Sequence, residues 1–291
     1  MSARRPLLAL AVLLPMLWIG GCSQRQTDAF MRSINESGGL QQTLRGLREV
    51  SEPEEFEIGR GVAETLLGAR PLYDDAELQR YVNAVGLWVA RHSERPDLPW
   101  RFGVNDSDHI NAFAAPGGYI VLTKGMMRQL RNEAELAGVL GHEVAHVVQK
   151  HHLHALRKAA VVSLLGAGVA AASAESRHAQ TVQKLVGPTK ELYARGLDKA
   201  DEFEADRMGV VLAARAGYDP FGLPAALTTL AAANPKDAYL ALLFKTHPAP
   251  EARIDQLALG MGTRFDALAQ APLNESRFQQ ATRKLRLAAS Q

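Results

Sequence analysis

The pentapeptide His142-Glu143-Val144-Ala145-His146 is the feature that most constrains how this chain can fold. The surrounding stretch, 133–149, contains no proline and carries apolar residues at helical spacing, so it predicts a buried helix. Residues four apart lie on one face of a helix, and two imidazoles placed in this way can bind one Zn²⁺. Glu143 lies about 100° further round, where it can reach a water on the metal rather than the metal itself. The pentapeptide therefore predicts two zinc ligands, His142 and His146, and a general base, Glu143.

A second helical stretch, 199–216, carries the carboxylates from which a catalytic zinc site can take its third ligand. Glu202 and Asp206 are again four residues apart, so they share a face. We expect Glu202 to bind the metal and Asp206 to accept a hydrogen bond from a ligand histidine, which fixes its tautomer. Glu204 is rotated from Glu202 by about 200°, so only one of the two can face the metal, and Asp206 favours Glu202. An acidic helix face is more often simply solvated, but the upstream histidine pair favours the ligand interpretation.

His152 is a rival third ligand. It stands where the longer pattern HExxHxxGxxH has its last histidine, but that pattern needs a glycine turn where this chain has Gln149, a good helix former. If the helix continues, His152 points away from the metal. His151, His152 and His154 are then expected to form a solvated helix end.

Patterns elsewhere predict a mainly α fold with a small β-sheet. Ser51 and Glu54 have the spacing of a capping box at the start of a helix. Alternating apolar residues within 99–123, with a turn at Pro116-Gly117-Gly118, predict a sheet of two or three strands. The helix that carries the histidine pair is expected to extend over 132–158.

The N-terminus has the pattern of a targeting segment. Arg4 and Arg5 precede the apolar run Leu7–Ile19, which is too short to span a bilayer comfortably. The small residues that follow end at Cys22, the only cysteine of the chain, and this pattern resembles a bacterial lipobox. Ser23 after the cysteine is similar to outer-membrane sorting signals, which implies a lipid anchor in the outer membrane, facing the periplasm.

A second apolar stretch, 159–174, is rich in glycine and alanine and short for a transmembrane helix. Two interpretations stay open: a buried helix or hairpin, and a segment that touches the membrane near the site. The composition argues against nucleic acid as a partner, because the net charge is only +2 and aromatic residues make up 6%.

The motifs HExxH at His142–His146 and ExxxD at Glu202–Asp206 resemble those of the gluzincin zinc metallopeptidases that include HtpX, BepA, LoiP and the CAAX-prenyl endopeptidases. The stretch Asn111–Gly118 is similar to the strand that precedes the zinc helix in that family. Thr246-His247-Pro248, with Arg253 beyond it, is similar to the family's C-terminal motif.

The resemblance covers about 75–257 and implies a gluzincin-type α+β fold, zinc-dependent endopeptidase activity and one Zn²⁺ per chain. The chain is most similar to the short lipoprotein type, because its sequence shows neither convincing transmembrane helices nor helical repeats after the peptidase unit. We therefore expect a lipoprotein signal peptide (1–21), a tether (22–50), a zinc metallopeptidase domain (51–262) and a helical C-terminal tail (263–291).

The expected substrates are misfolded, stalled or misassembled envelope proteins. The stretch Asn111, Ala112, Phe113 and Ala114, if it is a sheet edge, can hold an extended peptide by main-chain hydrogen bonds. His247 either donates to the developing oxyanion or occupies the fourth zinc position in a latent form. The alternative function is a chaperone-like binding protein with a latent or structural zinc site.

Overall fold

The computed structural model describes residues 50–166, 193, 195–233 and 238–289, with the backbone alone for 159–166 and 289. Its helices, in chain order, are α1 (Glu52–Ala69), α2 (Ala76–Ala90), α3 (Lys124–Gln129), α4 (Glu133–Val148), α5 (His151–Gly166), α6 (Lys199–Arg215), α7 (Gly222–Ala231), α8 (Ala241–Thr246), α9 (Pro250–Met261) and α10 (Glu275–Ala289). Its strands are β1 (Arg101–Asn105), β2 (Ala112–Ala115) and β3 (Tyr119–Thr123). The predicted mainly α fold with a small sheet is confirmed.

Several predicted segments lie outside the described residues. They are the signal peptide over 1–21, the tether up to residue 49 with the lipidation residue Cys22, and 167–174 of the apolar run. Within the described ranges, every helix is too short or too polar to cross a membrane.

The sheet has the order β1-β3-β2, with β1 parallel and β2 antiparallel to β3. Its three strands confirm the prediction. Gly117 and Gly118 form the turn between β2 and β3 at φ values of 74° and 98°, a region that glycine adopts without strain. The amide of Gly117 donates to the buried Glu55 carboxylate of α1, so the first helix is fixed to this turn. Because β3 is central, β2 is an edge strand, with no second strand beside it among the described residues.

Helix α4 lies at the centre of the molecule, where every residue from Glu133 to Val147 is buried. Two glycines allow neighbouring backbones to approach it closely. A Cβ on Gly141 would lie 2.7 Å from the carbonyl oxygen of Gly209 on α6, and a Cβ on Gly138 would lie 2.6 Å from the backbone nitrogen of Leu223 on α7. These contacts are shorter than a side chain tolerates, so Gly141 allows the close approach of α4 to α6, which carry the two motifs, and Gly138 allows the close approach of α4 to α7.

The prediction of one helix over 132–158 was wrong, because the chain turns between α4 and α5. Lys150 has φ 58°, a left-handed conformation that is uncommon for a residue with a side chain. Its ammonium lies 3.6 Å from the Glu55 carboxylate, a tertiary contact that helix propensity does not include. The turn brings the start of α5 back towards α4, so His151 is buried, while His154 is exposed.

The C-terminal helix α10 packs on the same core. Phe278, Thr282 and Leu285 are buried on one of its faces. Its Arg277 pairs with Glu133, the first residue of α4, and this buried carboxylate also accepts hydrogen bonds from the hydroxyls of Tyr81 and Tyr218. The start of the histidine-bearing helix is thus held by three side chains from other elements.

Candidate metal centre and cleft

The histidine pair is buried on one face of α4, as its spacing predicts. The Nε2 atoms of His142 and His146 lie 3.1 Å apart. Glu202 of α6 faces them with both carboxylate oxygens, at 3.7 Å from His142 Nε2 and 3.6 Å from His146 Nε2. Ligand atoms that sit about 2.0–2.1 Å from a tetrahedral zinc are about 3.3–3.4 Å apart. These two nitrogens and one carboxylate therefore have the chemistry and the spacing of a zinc ligand set.

His247 lies against the same cluster, just after α8. Its Nδ1 is 2.6 Å from a carboxylate oxygen of Glu202, and the ligand atoms of His142, Glu202 and His247 all lie within 4.8 Å of one another. Burial opposes the charged imidazole, but the adjacent Glu202 carboxylate holds the pKa of His247 above its usual value. Burial likewise opposes the Glu202 charge, yet His247, His142 and Arg253 lower the pKa of Glu202 to about 2.

Glu204 points away from the cluster, as its rotation on α6 predicts. Its side chain is exposed and its carboxylate accepts a hydrogen bond from the Gln149 amide.

Asp206 joins His142 to Arg253, a residue of α9. The Asp206 carboxylate lies 2.9 Å from His142 Nδ1 and accepts two hydrogen bonds from the Arg253 guanidinium, at 2.9 and 2.5 Å. Burial favours the neutral acid, but the guanidinium and His142 hold the pKa of Asp206 well below its usual range. An ionised Asp206 can accept the Nδ1 proton of His142, which leaves Nε2 free to bind a metal.

His151 and His152 lie at the site and not on a solvated helix end, so that prediction was wrong. His151 Nδ1 is 3.0 Å from His146 Nδ1, and its ring is buried. The ring of His152 lies 5.3 Å from that of His146 and stacks on Tyr193 with an interplanar angle of 6°. The left-handed Lys150 explains both positions, because it ends α4 and redirects a chain that the sequence predicts to continue as one helix.

Glu143 is buried between two cavities that meet at the histidine cluster. One cavity follows β2 and is lined by Asn111, Ala112, Phe113, Ala114, Tyr193 and Thr246, among others. The other is mainly apolar and is lined by Met126, Val139, Leu223, Leu227, Leu230 and Leu243 beside His142 and Arg253. Glu143 and His247 line both cavities. Burial raises the pKa of Glu143, which suits a group that takes up and returns a proton near neutral pH.

Tyr193 occupies part of the free edge of β2. Its hydroxyl donates to the carbonyl oxygen of Ala114 at 2.5 Å, and its ring is buried against His152 and near Phe113. Neither Tyr193 nor the role of Arg253 beside Asp206 follows from spacing. Both residues come from distant parts of the chain, and the only signal was the motif similarity around Arg253.

Comparison with known proteins agrees with this geometry. Residues 76–259 match the family model described as peptidase family M48. The beta-barrel assembly-enhancing protease of Escherichia coli (strain K12) is 31% identical over 208 residues, which cover 69% of this chain and 42% of that protein. The mitochondrial metalloendopeptidase OMA1 of Arabidopsis thaliana is 31% identical over 186 residues, covering 64% of this chain and 36% of that one. The OMA1 protein of Schizosaccharomyces pombe is 28% identical over 180 residues, covering 61% and 51%.

The chain thus spans about two fifths of the length of the first of these relatives. The matched residues include both motifs and the cluster that they form. The chain is therefore a member of peptidase family M48.

Proposed function

We propose that this chain is a zinc-dependent endopeptidase in which His142, His146 and Glu202 hold the metal and Glu143 is the general base. The observation that carries the proposal is that His142, His146 and Glu202 bring their ligand atoms within 3.1–3.7 Å of one another. Beside them lies the buried carboxylate of Glu143, which forms no ion pair with any residue that the structure describes. A purely structural zinc site has no use for such a base.

The chain's own residues then divide the reaction between them. When bound, zinc supplies Lewis acidity to a water molecule and to the scissile carbonyl. Glu143 takes a proton from that water and delivers it to the leaving amine. Asp206 accepts the Nδ1 proton of His142, and Arg253 donates to the Asp206 carboxylate, so the two residues fix the tautomer of His142. The edge of β2, over 112–115, offers main-chain groups to an extended peptide.

His247 has two candidate roles in this scheme: an oxyanion donor and a fourth ligand of a latent site. Its position along both cavities, beside Glu143, supports the first role. Its 2.6 Å contact with Glu202 supports the second role. The second role would suit the alternative function, that of a chaperone-like protein with a latent zinc site.

We also propose a lipid anchor at Cys22, in the outer membrane and facing the periplasm, with misfolded or stalled envelope proteins as substrates. The lipobox-like sequence and Ser23 support the anchor. A relative named for enhancing beta-barrel assembly supports substrates of this class.

The test is Glu143→Gln in the full-length protein. We expect zinc to stay near one equivalent, measured by elemental analysis, while cleavage of casein falls below detection. Glu251→Gln, which changes an exposed carboxylate in the first turn of α9, is the matched control and should cleave normally. Normal cleavage by Glu143→Gln would refute the role of the general base, and protein that binds no zinc would refute the metal centre.

A further inference from the structure

The buried carboxylate of Glu55, on α1, contacts two segments that lead into the cleft. Its Oε1 accepts the N–H of Gly117, in the turn between β2 and β3, at 3.2 Å. Its Oε2 lies 3.6 Å from the ammonium of Lys150, in the turn between α4 and α5. Strand β2 and His152, which follows the second turn, both line the cavity that contains Glu143. One carboxylate thus touches the bases of two walls of the cleft, although it lines neither cavity at the metal centre itself.

Arg95 extends this connection to the helix that carries the histidine pair. Its guanidinium donates to both oxygens of Glu55, at 2.8 and 3.0 Å, and to the carbonyl oxygen of Val147 at 3.3 Å. That carbonyl belongs to the last turn of α4, where carbonyls have no partner within the helix. A bidentate pair fixes the guanidinium in one orientation. Through Arg95, Glu55 therefore acts on the end of α4, one residue beyond His146.

The end of α4 determines where two imidazole rings of the cleft lie. Lys150, at φ 58°, comes directly before His151, whose Nδ1 is 3.0 Å from the Nδ1 of His146. His152 is the next residue, and its ring is stacked on Tyr193 inside the cavity. A shift of this turn would move the partner of one histidine of the pair together with one wall of the cleft.

Stability alone is a poor explanation for this buried pair. Well-packed apolar residues in place of a buried ion pair are often neutral or stabilising, because desolvation of the two charges offsets their attraction. What the pair of Glu55 and Arg95 adds is direction: its hydrogen bonds run to one atom of each turn, where apolar contacts would let the turns slide. Helix α1 also precedes residues 76–259, which match the family model, so Glu55 is an addition to the matched stretch.

We propose that Glu55 is a positioning residue that holds the turn between α4 and α5 at a fixed distance from the turn between β2 and β3. It acts through Arg95 and Lys150, and its own side chain touches neither the metal ligands nor the peptide. By fixing the first turn it keeps His151 against His146 and His152 in the wall of the cleft. This inference rests on the proposed endopeptidase function, which gives the cleft its substrate and His146 its metal.

The test variant is Glu55→Gln in the full-length protein. A carboxamide can still accept the N–H of Gly117, but it carries no charge for Arg95 or Lys150. Hydrogen exchange followed by mass spectrometry should therefore become faster over 147–153, while the segment 222–231 of α7 exchanges as in the parent protein.

Two further measurements report on the site itself. The zinc dissociation constant, from competition with a chelating dye, should rise about 3–10-fold, less than on direct loss of a histidine's partner because Glu55 acts through His151. At saturating zinc, kcat/KM for a quenched fluorescent casein peptide should fall about 10–100-fold, the effect of a small displacement near the reacting atoms. Glu64→Gln is the matched control: it removes an exposed carboxylate of α1 that pairs with Arg60, and all three measurements should stay at parental values.

Arg95→Lys is the second variant and decides the matter if Glu55→Gln does not fold. It keeps the positive charge opposite Glu55, but one ammonium cannot reproduce the fork that reaches both carboxylate oxygens and the Val147 carbonyl. Smaller changes in the same direction are expected. A lower melting temperature with parental zinc affinity and kcat/KM would show that the pair serves stability alone and would overturn the assignment. Failure of the unaltered enzyme to cleave the peptide would instead count against the endopeptidase function, and the exchange and zinc measurements would still test Glu55.

Discussion

The Nδ1 atom of His151 lies 3.0 Å from the Nδ1 atom of His146, across the turn between α4 and α5. If His146 binds a metal through Nε2, its Nδ1 carries a proton, and His151 is the acceptor of that proton. The Nε2 atom of His151 then faces two carboxylates of α6, that of Asp201 at 3.9 Å and that of Glu204 at 3.7 Å. In the proposed metal centre His151 thus orients His146, and Asp206 orients His142.

We therefore expect His151→Ala to weaken zinc binding by about 10–100-fold, the usual effect of removing a partner of a ligand histidine. Competition with a chelating dye measures the dissociation constant directly, without reference to activity. His154→Ala is the control, because it removes an exposed imidazole from the same helix. Equal zinc affinities of the two variants would contradict a positioning role for His151.

The ion pair between Arg253 and Asp206 predicts a large effect on stability. Both side chains are buried, at 5% and 1% exposure, and Arg253→Met would leave the carboxylate with His142 as its remaining partner. Removing one member of a buried pair exposes the other to an uncompensated desolvation penalty, so the free energy of unfolding should fall by about 3 kcal/mol.

Urea unfolding of the zinc-free protein isolates this effect from metal binding. Arg264→Met, at an exposed arginine that follows α9, should change the free energy of unfolding by less than about 0.5 kcal/mol. A similarly small change in Arg253→Met would show that the pair contributes little.

The centre of the site is the part that could be predicted from sequence. Helical periodicity converts a spacing of four residues into a shared face, so the positions of His142, His146, Glu202 and Asp206 followed from local rules. The exclusion of Glu204 followed from the same geometry. These inferences needed no knowledge of how distant segments meet.

The surroundings of the site could not be predicted, because they depend on tertiary contacts. Gln149 and Lys150 have ordinary helix propensity, yet the helix ends there, where Lys150 meets Glu55 of α1. Tyr193 reaches the sheet edge from a segment whose sequence gives no sign of it. The misjudged histidines, His151 and His152, are a direct consequence of that one unpredicted turn.

The left-handed conformation of Lys150 gives a further prediction. Lys150→Val should lower the free energy of unfolding by about 1–2 kcal/mol, since a β-branched residue is strained at φ 58°. Lys150→Gly should stay within about 1 kcal/mol of the parent protein, because glycine adopts this region freely. Both variants lose the contact with Glu55, so their difference in urea unfolding does not include that ion pair. If valine were as stable as glycine, the turn would not carry the strain that its φ value indicates.

His247 is expected to act as an oxyanion donor, because it lines both cavities beside Glu143. In that role His247→Ala should lower kcat by about 10²–10³-fold with zinc content unchanged. His92→Ala, a histidine at the end of α2, is the control for loss of an imidazole elsewhere. A rise in activity would instead identify His247 as the fourth ligand of a latent site, and no change would remove it from the site.

His152 predicts how stability depends on pH. Burial lowers the pKa of His152 to about 3 in the folded protein, against about 6.5 in an unfolded chain. Below pH 6.5 the unfolded state therefore binds a proton that the folded state does not. Stability from this residue is complete above pH 6.5 and is lost as the pH falls from there towards 3, by up to about 1.4 kcal/mol per pH unit.

His152→Gln in the zinc-free protein should reduce the slope of the free energy of unfolding against pH between pH 6.5 and 4.5. The reduction should correspond to up to one bound proton, as measured by urea unfolding at several pH values. Some slope should remain, because burial and neighbouring imidazoles also lower the pKa of His146. His109→Gln, at an exposed histidine, should leave the slope unchanged. An identical slope in His152→Gln and the parent would show that His152 is protonated as easily in the folded protein as in the unfolded chain, which its burial against Tyr193 argues against.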